Sequence, residues 1–423
     1  MRRAPRPPRV GLVGPGGHGR VHLAALLTRH GAGRLRLVAV ADRPGAEPPE
    51  LPEGARYTTD WRGLLGGGGL DVAVLATPPH LHLEMALVAF EAGLDVLLEK
   101  PAALAVADLD RLIAAAAAAG VLCQVGFQSL GSTALDRLCA ALAEGELGEV
   151  TAVGVVGAWR RSTRYYRRTP WAGRLLPDGR PGDGTVVNPF SHAVVNALVV
   201  AGAAHGRDAH PGPGRADVAA ELYRANDIEV DDTASLRLRT TDGVVVTLAV
   251  TLAADELVDP VVRVRGTRGT ASLWYQDDVL ALGGHTHRWR EERVDLLDDL
   301  LAVRERIGRG GRPGGSWADG GVRCPPERTR PALDSVERAL AAGGPPVPLP
   351  AAAVGHVTAP DGSPAVVVPG VAAALESCVA GGLLLSGTGV PWAAVPRPAH
   401  QERRPSRPGG TPSGPHVDDD DKE

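Results

Sequence analysis

The hexapeptide Gly14-Pro15-Gly16-Gly17-His18-Gly19 constrains the fold of this chain more than any other stretch. It fits G-x-G-x-x-G, which a chain with 54 glycines can produce by chance, so its meaning rests on its setting. It follows an apolar run at 9–13 and opens a helix-compatible stretch at 19–28. In that strand–turn–helix setting Gly14 allows the tight turn, Gly16 and Gly17 let a pyrophosphate reach the backbone with His18 beside it, and Gly19 lets helix and strand pack closely. The helix N-terminus adds free N–H groups and a positive dipole end for the phosphates. Asp42 ends the next predicted strand, 23 residues after Gly19. A carboxylate there accepts hydrogen bonds from ribose hydroxyls and repels a 2′-phosphate, which favours NAD; the neighbouring Arg43 can instead receive that phosphate, which leaves NADP open.

The surrounding pattern extends this unit. Apolar runs at 9–13, 35–41, 71–76, 95–98 and 122–127 alternate with helix-compatible stretches at 19–28, 81–92 and 106–119. Continuous rather than alternating hydrophobicity predicts strands buried on both faces, hence an α/β Rossmann domain over 1–128. The pattern then changes. Segments 150–158, 217–225, 233–239, 244–252, 261–265 and 270–275 are strand-like, several alternate apolar and polar residues, and glycine turns separate them. They predict a C-terminal α+β domain over 129–395 with a mostly antiparallel sheet, and helices at 189–201, 296–307 and 371–385. The Gly/Arg-rich stretch 308–321 predicts a mobile loop, and 396–423 a disordered tail. That tail ends in DDDDK, which is either a protease-cleavage tag or a natural acidic tail. Apolar stretches are too short for a membrane span, and a net charge of −4 excludes a strongly basic nucleic-acid binder. Four widely spaced cysteines fit neither a zinc pattern nor a disulfide framework and suggest free thiols in a cytoplasmic protein. No metal site is expected.

Composition matters at one further point. Of 45 basic residues only two are lysines, Lys100 and Lys422. A lysine in the folded body therefore marks a place where a compact, titratable amine is wanted. Lys100 ends the run DVLLEKP, after Glu99, where the carboxyl end of a parallel strand meets a ligand cleft. Thr77-Pro78-Pro79-His80 follows the preceding strand and forms a wall at the same edge, with His80 and His82 read as partly exposed loop residues. In NPFSHAVVN, Asn188 suits an N-cap and Pro189 the first helical position. Asn188, His192 and Asn196 then form a polar stripe on an apolar helix. His192 is either a neutral general base or a satisfied core residue. The aromatic and arginine-rich run 159–171, ending in Trp171, either covers a polyhydroxylated substrate or is a solvated loop. His285 and His287 read as exposed strand residues.

Together the Gly14–Gly19 fingerprint, Asp42, Thr77-Pro78-Pro79-His80, Glu99-Lys100-Pro101 and the segment 184–196 resemble the Gfo/Idh/MocA (glucose–fructose oxidoreductase / inositol dehydrogenase) family. The resemblance covers nearly the whole chain to about residue 395. It implies NAD(P)-dependent hydride transfer at a ring carbon of a sugar, inositol or related polyol. It also implies a large open sheet that often mediates oligomerisation, here a dimer or tetramer. The family's lysine maps onto Lys100 and its helix histidine onto His192, so His192 is expected to take the hydroxyl proton while Lys100 binds the same oxygen. Asn188, Asn196 and Trp171 are expected around the substrate. The family's aspartate four residues before the histidine is Asn188 here, a departure, because an amide cannot take a proton. Two other roles stay open, a non-catalytic sugar- or dinucleotide-sensing protein and an NAD-dependent glycosidase.

Overall fold

The computed structural model describes residues 6–207, 213–283, 289–290, 292–308 and 320–393. Most of the loop 308–321, His285, His287 and the tail beyond 396 lie outside them. The chain opens with β1 (Arg9–Val13), α1 (Gly19–Gly31), β2 (Arg36–Ala41), β3 (Arg56–Thr58), α2 (Trp61–Gly66), β4 (Val72–Leu75), α3 (His82–Glu91), β5 (Asp95–Leu98), α4 (Val106–Ala119) and β6 (Cys123–Val125). These strands form one parallel sheet in the order β3-β2-β1-β4-β5-β6. Every residue of β4 and β5 is buried, as the unbroken apolar runs require. Strand order reverses between β1 and β4, and the glycine turn sits at the carboxyl end of β1, where such sheets bind ligands.

The chain continues through α5 (Thr133–Ala143), β7 (Val150–Arg160), α6 (Thr163–Tyr166), α7 (Ser191–Ala203), β8 (Pro213–Arg224), β9 (Thr233–Thr240), β10 (Val245–Thr251), β11 (Ala253–Gly266), β12 (Thr270–Trp274), β13 (Val279–Leu282) and β14 (Trp289–Arg290). It closes with α8 (Leu296–Ile307), α9 (Pro326–Gly343), β15 (Val347–Pro348), the hairpin β16 (Gly355–Thr358) and β17 (Pro364–Val367), and α10 (Val371–Gly381). The second sheet has nine strands in the order β14-β13-β12-β11-β7-β10-β9-β8-β15. It is mostly antiparallel, with β7·β10 and β8·β15 parallel. Helix α7 is buried almost throughout and lies on one face, and α10 lies on the other. Alternation along β7 serves both layers: Val153 and Val155 join the cluster with α7, Val156 and Ala158 the cluster with α10. Two glycines of β7 allow these helices their close approach. A Cβ at Gly154 would lie 2.3 Å from Val379, and one at Gly157 2.5 Å from the Phe190 ring.

Three differences from the sequence expectation have physical causes. Helix α9 was not anticipated, because Pro331 and a dense set of charges mask its apolar stripe. Helix α10 stops at Gly381, because Gly382 follows in the left-handed region at φ 64°. Helix α8 belongs spatially to the first sheet: Leu296, Leu297, Leu300 and Val303 pack with Val10, Leu12, Leu26 and Val74. Polar contacts tie it down, from Arg29 to Asp298 at 2.8 Å, from Gln124 to the Leu296 carbonyl at 2.9 Å, and from Arg304 to Asp95. Among the described residues no helix is long and apolar enough to cross a membrane.

Candidate active site

The glycine turn is built as its sequence requires. Gly14 adopts φ 84°, and a Cβ on Gly19 would lie 1.8 Å from the Gly14 carbonyl oxygen, so both positions need glycine. A Cβ at Gly16 or at Gly17 would meet nothing within 4 Å, so the outer surface of the turn is open. That surface, at the N-terminus of α1, fits the phosphates of a dinucleotide. Asp42 and Arg43 stand at the end of β2, where the Asp42 carboxylate accepts the Arg43 N–H at 2.7 Å and the Arg43 side chain is exposed.

Beyond β4 and β5 the polar groups converge. Glu99 is buried, accepts from the Lys100 N–H at 3.0 Å, and meets His22 Nε2 at 2.7 Å and Gln128 Nε2 at 3.3 Å. Burial pushes its carboxyl up, but the His22 hydrogen bond and the charges of His22, His18 and Lys100 outweigh that and bring it down to about 2. His18, His22 and Glu99 place their donor atoms within 4.8 Å of one another. Thr77 and Pro78 form the wall beside them. The Thr77 hydroxyl turns back to Met85, Pro78 leads a short turn, and His80 is exposed. His82 corrects the sequence reading: it is fully buried and bridges the carbonyls of Thr77 and Pro101, each at 2.8 Å. The apolar face of α3 draws it inward, and the N–H of the neutral ring donates to one of these two carbonyls.

Lys100 is half-buried, and its Nζ donates to Asn188 Oδ1 at 2.8 Å and to the Asn188 carbonyl at 3.1 Å. Asn188 does not cap a helix. Helix α7 begins at Ser191 with Phe190 at the cap position, and Asn188 lies in the preceding turn. A bond from an ammonium is stronger than a neutral cap bond, and the amide is spent on Lys100 and, through Nδ2, on Asp183 Oδ1 at 3.0 Å. Asp183 is 1% exposed and also receives Gly173 N at 3.1 Å and Arg168 Nη2 at 3.3 Å. Burial lowers the Lys100 pKa below its ordinary value, opposed by Glu99 and Asp183.

His192 sits in the first turn of α7. Its Nδ1 meets Ser129 Oγ at 2.9 Å, and its ring packs edge-on to Phe127 and parallel to Tyr275. Burial, reinforced by the Lys100 charge, pushes its pKa down to about 3. Asn196 departs from its expected place around a substrate. It is fully buried, and its Nδ2 donates to Ser129 Oγ at 2.8 Å and to the His192 carbonyl at 2.7 Å, so it supports the histidine from behind. Trp171 is also displaced from the cavity wall and lies beside the Arg168 guanidinium at 5.2 Å. A cavity of about 210 Å³ opens in front of His192, lined by Gln128, Ser129, Trp159, Tyr275 and Arg293 among others. Sequence reasoning missed Gln128 and Ser129, although they follow β6 at the same sheet edge. It missed Tyr275 as a site residue and Asp183 altogether. The Tyr275 hydroxyl is buried without a partner among the described residues.

The fold agrees with the comparisons. A family model described as an oxidoreductase family with an NAD-binding Rossmann fold matches residues 8–127, and a GFO/IDH/MocA C-terminal domain model matches 135–272. Inositol 2-dehydrogenase 1 of Saccharopolyspora erythraea is 33% identical over 163 residues, 37% of this chain and 48% of that protein. The chain thus spans about half the length of that curated relative. Among solved structures, the WlbA dehydrogenase of Bordetella pertussis, in complex with NADH and UDP-GlcNAcA, is similar at TM-score 0.62 and 23% identity, covering 80% of this chain and 97% of that one. UDP-N-acetylglucosamine 3-dehydrogenase from Acidithiobacillus ferrooxidans is similar at TM-score 0.56 and 19% identity, covering 80% and 98%. At these identities the two structures speak for the fold alone.

Proposed function

This chain belongs to the Gfo/Idh/MocA oxidoreductase family, and from that premise we propose that it is an NAD-dependent enzyme moving a hydride between nicotinamide and a ring carbon of a sugar, inositol or related polyol. The observation that carries this reading is the convergence at one sheet edge: an open glycine turn, a lysine held by Asn188, and a neutral histidine fronting a cavity. When bound, the nicotinamide supplies the hydride acceptor. Lys100 Nζ donates to the substrate hydroxyl oxygen and stabilises the negative charge that grows on it. His192 takes the hydroxyl proton at Nε2, which requires Nδ1–H to donate to Ser129 Oγ. Asn188 fixes the direction of the ammonium, and the Tyr275 hydroxyl is free to meet a substrate hydroxyl. Asp42 supports NAD over NADP. A dinucleotide unit over 1–128, a substrate unit over 129–395, assembly through the large sheet and action in the cytoplasm complete the proposal. The buried free thiols of Cys123, Cys324 and Cys378 agree with the last point, and Leu257, exposed on β11, with assembly.

Thermal unfolding with NAD+, NADH, NADP+ and NADPH tests the cofactor. A ligand at 100 times its Kd adds roughly 2.7 kcal/mol, and NAD+ and NADH are expected to do so. A polyol panel followed by nicotinamide absorbance then tests turnover. Lys100→Ala is expected to lower kcat at least about 100-fold with little change in cofactor affinity. No shift with any of the four cofactors overturns the proposal. Cofactor binding with no turnover points to a sensor, and aglycone release without net NADH to a glycosidase.

A further inference from the structure

The run between β7 and α7 contains a cation, Arg161, that has no ion-pair partner among the described residues. Arg161 follows β7, and its backbone N–H is taken by the Leu252 carbonyl at 2.8 Å. Its guanidinium lies 4.9 Å from the Trp159 ring and 4.9 Å from the Tyr165 ring, held between the two. Among the described residues no carboxylate pairs with it, and its Nε is buried without a hydrogen-bond partner. The cations nearest the reacting end are engaged, Arg168 with Asp183 at 3.3 Å, Arg293 with Asp278 at 2.9 Å, and Lys100 with the Asn188 oxygens, while Arg164 and Arg167 of the same run are exposed to solvent. The orphaned polar atoms gather in the same place. Of five buried side-chain polar atoms without a partner among the described residues, Arg161 Nε, Tyr166 Oη and Thr169 Oγ1 belong to this run and Tyr275 Oη to the cavity wall.

Two paths of contact connect Arg161 to the reacting end. Trp159, under its guanidinium, lines the cavity in front of His192. Tyr165, on its other side, carries Arg168 at 3.6 Å, and Arg168 leads through Asp183 and Asn188 to Lys100. A guanidinium between two rings keeps its planar set of N–H donors, and such a set can bind a carboxylate or a phosphate through two bonds. Leaving such a group unpaired and half-buried is costly unless a ligand completes it.

We propose that Arg161 is the anion-recognition residue of the substrate site, and that the substrate is an acidic sugar carrying a carboxylate or a phosphate rather than a neutral polyol. This rests on the reading of the cavity as the place of the reacting sugar. NADH affinity is measured first, so that failure of the underlying reading is told apart from failure of anion recognition by Arg161. The NADH-loaded protein is then titrated calorimetrically with D-glucose, D-glucuronate, glucose 6-phosphate, UDP-glucose and UDP-glucuronate. At least one acidic member is expected to bind about tenfold or more tighter than its neutral counterpart. Glucuronate assigns a carboxylate, glucose 6-phosphate a sugar phosphate, and UDP-glucose over glucose a diphosphate. Arg161→Met is expected to abolish the preference and Arg161→Lys to keep part of it, with NADH affinity reporting that both variants fold. Equal affinity within each pair, no binding by any acidic member, or a preference that survives Arg161→Met overturns the proposal.

Discussion

Asn188 gives the residue scale its sharpest experiment. The negative charge that the family's aspartate would carry stands one residue deeper here, on Asp183, and reaches Lys100 through the amide. Restoring the family residue should therefore do harm. Asn188→Asp sets two carboxylates against each other at hydrogen-bond distance, one of which must take up a proton or move. The expected result is a lower thermal midpoint and no gain in turnover, while Asp183→Asn combined with Asn188→Asp recovers most of both. Equal stability of the single and double variants would show that Asp183 does not supply the charge. His192 makes a second prediction. Its pKa falls from the ordinary 6.5 to about 3 in the folded protein, so below pH 6.5 the unfolded chain binds a proton that the folded one refuses. Stability is then full above pH 6.5 and falls by up to about 1.4 kcal/mol per pH unit as pH drops toward 3. His192→Gln should flatten that acid slope in denaturant titrations. Lys100 acts at the other end. Its pKa lies below 10.5, so turnover should fade on the alkaline side with a midpoint below that value, and Lys100→Arg should move the limb upward. Residues of this kind were legible in sequence where a motif fixed their position, as for Lys100 and His192. Asp183, Ser129 and Tyr275 were not, because only the packing of three elements brings them together.

At the scale of elements, the glycine turn separates two roles that its consensus merges. Gly19→Ala drives a methyl into the Gly14 carbonyl at 1.8 Å and should destabilise the protein by about 2 kcal/mol or more whether or not cofactor is present. Gly16→Ala meets nothing in the protein, so its midpoint should match the parent without ligand and fall behind it once NADH is added. Thermal unfolding with and without NADH checks both. Five of the six parallel strands were readable because they are largely buried and mostly apolar, whereas β3 is polar and partly exposed and left no apolar run to read. The start of α7 was misplaced because Asn188-Pro189 carries ordinary capping chemistry, which a stronger claim on the amide by Lys100 overrides. Helix α9 escaped notice because Pro331 interrupts a stripe that tertiary contact sustains.

At the scale of the whole molecule, the two sheets share more than a border. Helix α8 follows β14 of the second sheet yet completes the core of the first. Leu300 is fully buried in it, and Leu300→Ala is expected to lower stability by about 2–5 kcal/mol and to shift the unfolding of the dinucleotide-binding half, measured as loss of NADH protection. The return of α8 also sets a timetable. A ribosome adding about 5–20 residues per second needs roughly 9 to 36 seconds to pass from the end of the first sheet at Val125 to Val303. Through that interval Val10, Leu12 and Val74 have Leu23 and Leu26 of α1 against them but lack the α8 part of their cover. Each newly made copy is therefore expected to expose the part of that apolar face which α8 covers until most of its second half has been made.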